Sequence, residues 1–169
     1  MTFAATDRAF QIDGKDVYLL SGEVHYFRVP RKLWATHLKK LKAANCQAVC
    51  SYIPWGWHEP EEGKFDFDGE THPQRDLAGF IREAKKAGLY LIVKPGPYIL
   101  AEFVQQGLPE WLTAKHPELV SRNADGGTIE DWILTYMHPT FLDYTRKWYD
   151  KVMPLIAEDE MGLRPDQIG

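Results

Sequence analysis

The sequence predicts an α/β fold in which parallel strands alternate with helices. Three segments rich in apolar, β-branched and aromatic residues are predicted to be strands, at residues 17–26, 47–53 and 89–93. Amphipathic helical patterns lie between them, at residues 31–44 and from Asp76 to Gly88. Because the strand segments are apolar almost without interruption, we expect a parallel sheet that is buried on both faces.

The composition is that of one globular domain. A chain of 169 residues with 44% hydrophobic residues can bury a sizeable core. A net charge of −4 and the absence of a lysine- and arginine-rich run argue against a nucleic-acid partner. The sequence has neither a signal-peptide pattern nor a membrane-spanning window, so we expect a cytoplasmic protein without a membrane partner. Two free thiols, Cys46 and Cys50, would agree with that compartment. Nothing in the sequence indicates the oligomeric state.

The first predicted element is a hairpin at residues 10–20 with Asp13-Gly14 as its turn. These residue types readily adopt the positive φ angles of a two-residue turn. The second arm continues into the first strand, which carries Glu23 and His25 at its C-terminal end. These side chains could line a pocket or bond to neighbouring backbone, and structural support is the favoured role.

The first helix is predicted at residues 31–44, directly after Pro30. Its apolar stripe should cover the sheet while its lysines face solvent. The stripe consists of Leu33, Trp34, His37, Leu38 and Leu41.

The second strand ends in a stretch that is dense with rings. Pro54 forbids its continuation inside a sheet. Flat rings beside acids suit a carbohydrate, whose C–H faces stack on aromatics while its hydroxyls bond to carboxylates. The alternative is an aromatic cluster that fills the end of the core. The residues concerned are Trp55, Trp57, His58 and Glu59. A metal site formed by His58 and Glu59 with nearby Glu61, Glu62 and His72 is not expected, because their spacing follows no ligand pattern.

The second half of the chain continues the alternation. Asp76 should cap the second helix, and Gly88 suits a left-handed C-terminal cap. After the third strand, a short helix is predicted at residues 109–115, a turn at 123–127 and a long helix at 139–157. Pro154 should kink or shorten the long helix. Its inward residues are predicted to be Phe141, Leu142, Trp148, Val152, Leu155 and Ile156, and Trp111 and Trp132 are also assigned to the core.

Three βα units make less than half of a (β/α)₈ TIM barrel, which typically needs about 250 residues. We therefore expect residues 1–169 to be the N-terminal portion of such a domain, truncated before the fourth strand. A complete open three-layer sheet is the alternative, and it would lack the glycine-rich first turn of a nucleotide-binding sheet.

Five motifs occur in a fixed order along the chain. They are IDGK at residues 12–15, SGEVHYFR at 21–28, YIPWGWHEP at 52–60, GKFDF at 63–67 and KPGPYILAEF at 94–103. Together they resemble the start of glycoside hydrolase family 35, the β-galactosidases. The resemblance implies the first part of a TIM-barrel catalytic domain, retaining hydrolysis of terminal non-reducing β-D-galactose and no cofactor.

The resemblance also implies a carbohydrate-binding wall. Tyr52 matches a tyrosine that bonds to substrate hydroxyls. Ala101 and Glu102 match the third-strand segment that binds galactose through backbone and carboxylate, and Ile99 and Leu100 precede them in the same segment. Glu102 is the strongest candidate, because a fixed carboxylate accepts two hydroxyl hydrogen bonds and so distinguishes sugar epimers.

The family's catalytic glutamates have no match here. The acid/base belongs to an Asn-Glu motif at the fourth strand and the nucleophile to the seventh, so no catalytic residue is assigned and the chain alone is expected to be inactive. The sequence also departs from the family at the pocket mouth, at Gly56, Leu100, Phe103 and residues 105–107. A β-glucosaminidase-like exo-glycosidase and a degenerate, non-catalytic sugar-binding protein therefore stay open.

Overall fold

The computed structural model describes residues 2–127 and 134–157. They form two three-stranded sheets, one antiparallel and one parallel, with helices packed on the parallel sheet. The strands are β1 (Phe3–Ala5), β2 (Phe10–Ile12), β3 (Lys15–Val17), β4 (Ser21–Glu23), β5 (Ala48–Tyr52) and β6 (Tyr90–Lys94). The helices are α1 (Trp34–Ala43), α2 (Trp55–His58), α3 (Leu77–Lys86), α4 (Glu110–Lys115) and α5 (Pro139–Ile156).

The predicted hairpin is confirmed as the β2–β3 pair. Ile12 pairs with Lys15, and the turn residues Asp13 and Gly14 have φ angles of 49° and 75°. Strand β1, which the sequence pattern did not indicate, pairs antiparallel with β2 and places Phe3 opposite Ile12.

The three predicted buried strands are confirmed as a parallel sheet in the order β4-β5-β6. One face is covered by helices. Leu41 of α1 lies so close to Gly22 that a Cβ at that position would stand 2.3 Å from Leu41 Cδ2. Helix α3 begins at the predicted cap, since Asp76 Oδ1 accepts a hydrogen bond from Gly79 N at 2.7 Å, and Gly88 has a φ of +68° after its end.

The expectation that the sheet is buried on both faces is wrong for these residues. Side chains alternate along a strand, so Glu23, Tyr90 and Ile92 point away from the helix-covered face. Tyr90 and Ile92 are 38% and 39% exposed. The described residues therefore cover one face of the sheet with helices and leave part of the other face open to solvent.

Helix α5 follows its predicted pattern with two exceptions. Leu142 is 41% exposed rather than inward, because Phe141 beside it takes the core-facing position. Of the two effects predicted for Pro154, a kink or a shortening, the shortening is absent, since the helix runs through Pro154 to Ile156. The predicted turn at 123–127 is confirmed by a hydrogen bond from Gly126 N to Asn123 O. Trp132 and residues 158–169 lie outside the described residues. Both cysteines are free, as expected, although Cys46 precedes the strand that contains Cys50.

Candidate functional site

The carboxyl ends of the three parallel strands bring a carboxylate, a ring and an ammonium group together. Glu23 ends β4, Tyr52 ends β5 and Lys94 ends β6, with Tyr52 and Lys94 paired in register. Lys94 Nζ lies 3.1 Å from Glu23 Oε1 and 4.0 Å from the centroid of the Tyr52 ring. Lys94 therefore joins the other two strand ends, and we call these three residues the strand-end cluster.

His25 extends this cluster towards Arg28. Its Nε2 lies 2.9 Å from Glu23 Oε1, and its Nδ1 lies 2.8 Å from an Arg28 Nη1 that can only donate. Nδ1 must therefore accept, so Nε2 carries the proton and donates it to Glu23. The His25 ring also meets the Tyr52 ring edge-on, at 5.5 Å between centroids.

Hydrogen bonds favour the charged forms of Glu23 and Lys94. The bond from His25 lowers the pKa of Glu23 most, burial opposes this, and the bond from Lys94 adds to the lowering. Burial alone would lower the pKa of Lys94, but its contacts with Glu23, Cys50 and Tyr52 outweigh that effect and raise it. Burial raises the pKa of the Cys50 thiol, so it stays protonated beside Lys94.

The segment after β6 turns sharply at Leu100, Ala101 and Glu102. Their φ angles are 55°, 49° and 45°, in the left-handed region that residues with a Cβ seldom adopt. Arg28 Nη2 donates to the carbonyl oxygens of Ala101 and of Glu102, the latter at 3.1 Å. Arg28, which precedes this segment by more than 70 positions, therefore holds the backbone of the segment.

The sugar-contacting residues expected from the sequence differ in accessibility. Tyr52 and Ala101 are partly buried, Leu100 is 54% exposed, and Glu102 is exposed. Within residues 2–127 and 134–157, the Glu102 carboxylate makes no hydrogen bond or ion pair, so its oxygens can accept bonds from a ligand. Ile99 is only 4% exposed and its N–H donates to Gln106 O, so it helps to anchor the segment.

The ring-rich stretch after β5 forms part of the core, which decides between the two interpretations of its sequence. Trp55 and His58 are fully buried, and Trp55 stacks on Trp148 of α5 at 6.1 Å. Glu59 is buried and accepts a 2.5 Å hydrogen bond from Trp55 Nε1. The rings point inward because α2 turns the chain directly after Pro54. For Trp55, His58 and Glu59 the structure therefore favours the aromatic cluster that fills the end of the core, whereas Trp57 is only partly buried.

His58 lies in a buried polar chain beneath this stretch. The Tyr26 hydroxyl lies 2.5 Å from Nε2, and the Asp66 carbonyl oxygen lies 2.6 Å from Nδ1. Since a carbonyl only accepts, Nδ1 donates to Asp66 and Nε2 accepts from Tyr26. Burial lowers the pKa of His58 to about 4, so the ring is neutral at physiological pH. This chain of hydrogen bonds from Tyr26 through His58 to Asp66 supports the loop that follows α2.

Neither a metal site nor a membrane span is found in the part of the chain that the structure describes. No three histidine, cysteine, aspartate or glutamate side chains there are grouped to hold a metal ion. No helix there has the length and apolarity needed to cross a membrane.

A hollow of about 410 Å³ opens beside the strand-end cluster. It is lined by Glu23, Val24, His25, Arg28, Val29 and His37. Charged and aromatic groups that face such a hollow can exchange hydrogen bonds with the hydroxyls of a polar ligand.

Sequence reasoning gave no role to Lys94 or Arg28. Both lie within quoted motifs, and the position of Lys94 at the end of a strand was a usable signal. The bonds from Arg28 to Ala101 and Glu102 depend on the tertiary fold and leave no local pattern.

One family model and several curated relatives match most of the chain. The model described as Glycosyl hydrolases family 35 matches residues 9–163. A β-1,2-glucosyltransferase of Ignavibacterium album is 49% identical over 92% of the chain, and an exo-β-D-glucosaminidase of Pyrococcus horikoshii is 46% identical over 89%. A β-galactosidase of Mus musculus is 38% identical over 86%. The chain spans 20–22% of the length of these relatives.

A solved structure shares the fold at much lower sequence identity. The crystal structure of β-galactosidase from the psychrophilic Marinomonas ef1 matches 81% of this chain and 19% of its own, with a TM-score of 0.66 at 15% identity. This likeness shows that the two chains have a common fold over the matched part.

Proposed function

The chain belongs to glycosyl hydrolases family 35, and on this premise we propose that it forms one wall of the sugar-binding site of a retaining exo-β-glycosidase. The observation that carries the proposal is the strand-end cluster of Glu23, Tyr52 and Lys94 at the carboxyl ends of parallel strands. Enzymes built on (β/α)₈ barrels have their active sites at that end.

The architecture proposed is the N-terminal part of a TIM barrel, with β4, β5 and β6 as its first three strands. Support comes from the parallel order of these strands and from the open face that carries Tyr90 and Ile92. Such a face becomes the barrel interior when further strands close the sheet. The relatives' greater length supports the same proposal, since this chain matches about a fifth of them.

In the proposed site, Tyr52 and Glu102 provide the side-chain contacts to the sugar. The Glu102 carboxylate is free to accept two hydroxyl hydrogen bonds, and the Tyr52 hydroxyl can accept or donate one. Ala101 and Leu100 contribute backbone and an exposed side chain at the mouth, while Ile99 keeps their segment in place.

Catalysis itself is assigned to residues that this chain does not supply. Retaining hydrolysis needs two carboxyl groups about 5–5.5 Å apart, one to protonate the leaving oxygen and one to attack the anomeric carbon. We propose that both belong to later strands of the whole protein, so the isolated chain does not turn over substrate.

The proposed substrate is a terminal β-D-galactoside, and a β-D-glucosaminide is the second candidate. The glucosaminide is kept as a candidate because the chain is 46% identical to an exo-β-D-glucosaminidase, compared with 38% to a β-galactosidase. An unpaired carboxylate such as that of Glu102 could also accept a hydrogen bond from a sugar ammonium group.

The deciding experiment measures kcat/KM of the full-length protein that contains this chain, with aryl β-galactoside, aryl β-glucosaminide and aryl β-glucoside. Turnover of the galactoside at least ten times faster than the others supports the first substrate, and the reverse order supports the second. Product analysis with an added sugar acceptor separates hydrolysis from glycosyl transfer. Absence of turnover for all three, in a folded protein, would contradict the proposed function.

A further inference from the structure

We propose that Arg28 is a positioning residue that holds the sugar-contacting segment, Leu100 to Glu102, in register with the strand-end cluster. The proposal rests on the proposed function, in which Glu102 and Tyr52 contact the sugar. It assigns to Arg28 the task of fixing the distance and orientation of those two contacts relative to each other.

The guanidinium group of Arg28 forms hydrogen bonds in two directions. Its Nη2 donates to two successive carbonyl oxygens, those of Ala101 and Glu102, while its Nη1 donates to His25 Nδ1. One rigid, planar group thus bonds to the segment after β6 and to His25, two residues after the end of β4. The bonds to the two carbonyl oxygens and the bond to His25 point in different directions. The segment therefore cannot slide along β4 without breaking either the carbonyl bonds or the bond to His25.

The segment from Leu100 to Glu102 has an unusual backbone conformation. Three consecutive residues with a Cβ occupy left-handed backbone conformations, which persist only where surrounding contacts hold them. Leu100 and Glu102 are exposed and contribute little packing of their own. The hydrogen bonds from Arg28 are therefore a principal restraint on the orientation of Glu102.

Arg28 is also connected to Tyr52 through a series of side-chain contacts. Because Arg28 donates to Nδ1 of His25, it selects the tautomer whose Nε2 proton bonds to Glu23. Glu23 in turn holds Lys94, whose ammonium group lies against the Tyr52 ring. A continuous chain of contacts thus runs from the carbonyl of Glu102 to the ring of Tyr52.

A ring beneath Arg28 reinforces this arrangement. The guanidinium carbon lies 5.3 Å from the centroid of Phe27, which is buried. Phe27 also stacks on His25 and meets Phe103 edge-on at 5.2 Å. Phe103 directly follows Glu102, so the same ring supports Arg28 and the end of the segment that Arg28 holds.

Lysine is the informative replacement. It keeps the positive charge but presents one ammonium group on a flexible stem, which cannot reproduce two bonds in one direction and one in another. Arg28→Lys therefore separates positioning from charge. Arg31→Gln is the matched control, because Arg31 forms an ion pair with the buried Asp76 at the start of α3, outside the site.

The experiment compares the wild type, Arg28→Lys and Arg31→Gln in the full-length protein. We expect Arg28→Lys to lower kcat/KM on the preferred aryl glycoside by about ten- to a hundredfold, with most of the loss in KM and kcat changed by less than about threefold. Its Tm should fall no further than that of the control, which should keep wild-type kcat and KM. Wild-type kinetics in Arg28→Lys, or a loss of kcat/KM matched by the control, would overturn the proposal.

Hydrogen exchange tests the same proposal without turnover. The amides of Phe103 and Gln106, directly after the segment, donate to Leu100 O and Phe103 O respectively. In Arg28→Lys they should exchange at least tenfold faster than in the wild type and in Arg31→Gln, while the amides of α3 stay unchanged. Unchanged exchange at Phe103 and Gln106 would overturn the positioning role, even if no substrate is found. Faster exchange in a protein without glycosidase activity would support that role and contradict the proposed function alone.

Discussion

Acidic side chains near the candidate site differ in whether their carboxylates already bond to other residues of the protein. Glu23 and Glu59 are carboxylates whose oxygens are engaged, by Lys94 and Trp55 respectively. Glu102 is exposed, and its carboxylate has no partner among the residues that the structure describes. Of these three acids, Glu102 is therefore the one that is available to a ligand.

Glu102→Gln should weaken sugar binding without removing a proton-transfer group. Loss of a charged hydrogen bond costs about 1.5–3 kcal/mol, so kcat/KM of the full-length protein should fall about ten- to a few hundredfold. The shape of the pH profile should not change, because its limits report the catalytic acid and base. Glu61→Gln, on the exposed surface, should match the wild type. Loss of one limb of the pH profile in Glu102→Gln would instead make Glu102 a proton donor or acceptor.

His58 should make the stability of the protein depend on pH. Burial lowers its pKa from 6.5 to about 4, so between these values the folded state binds fewer protons at His58 than the unfolded state. The free energy of unfolding should therefore fall as the pH is lowered from 6.5 to 4, by up to about 3 kcal/mol. Denaturant titrations at several pH values would measure this, and His58→Gln should show a flatter dependence.

Tyr26→Phe is the matched variant for that measurement. It removes the hydrogen bond to His58 Nε2 but leaves the ring buried. Since burial is the main cause of the lowered pKa, this variant should lose about 1 kcal/mol at every pH and keep the pH dependence. An equally steep dependence in His58→Gln would show that other groups cause it.

At the scale of elements, α5 supports the beginning of the segment that follows β6. Trp148 Nε1 donates to Pro95 O at 2.7 Å, and the Tyr149 hydroxyl donates to Gly96 O at 2.6 Å. Trp148 is also the fully buried ring on which Trp55 stacks. A helix late in the chain therefore fixes both the core behind α2 and the residues that lead from β6 to the sugar-contacting segment.

Substitutions along α5 should separate these contributions. Trp148→Ala removes a large buried ring and should cost about 3–5 kcal/mol of unfolding free energy. Tyr149→Phe removes one hydrogen bond and should cost about 1 kcal/mol. Leu142→Ala, on the exposed side of the same helix, should change stability by less than about 0.5 kcal/mol. Chemical denaturation of the full-length protein would rank the three, and a large loss in Leu142→Ala would contradict the assigned facing of α5.

At the scale of the whole molecule, apolar surface remains uncovered on both sheets. The parallel sheet exposes part of one face, and the antiparallel sheet exposes aromatic rings. The side chains concerned are Phe3, Phe10, Tyr18, Leu20, Tyr90 and Ile92. Patches and strand edges of this kind favour association.

The isolated 169-residue chain should therefore aggregate or lack fixed side-chain packing. We expect it to bind an apolar dye such as ANS and to unfold without a sharp transition. Size-exclusion chromatography and thermal unfolding at micromolar concentration would test this. A monomer with a cooperative transition and no dye binding would contradict the expectation.

Local features of this protein followed from its sequence. The Asp13-Gly14 turn, the Asp76 cap of α3 and the cap at Gly88 were predicted correctly, because each depends on the preferences of a few adjacent residues. The order of the three parallel strands and of α1, α3 and α5 followed from sequence periodicity for the same reason, whereas β1 and α2 did not. The family followed from five motifs in register, and the family model confirms it.

Tertiary structure alone decided which side chains face the site. The sequence could not show whether Trp55 lies on a rim or in the core, because its burial depends on Trp148, more than 80 residues later. Nor could it show that Arg28 bonds to Ala101 and Glu102. Periodicity and turn chemistry act over a few residues, whereas a site at the ends of parallel strands is assembled from segments that meet only after the crossover helices have packed.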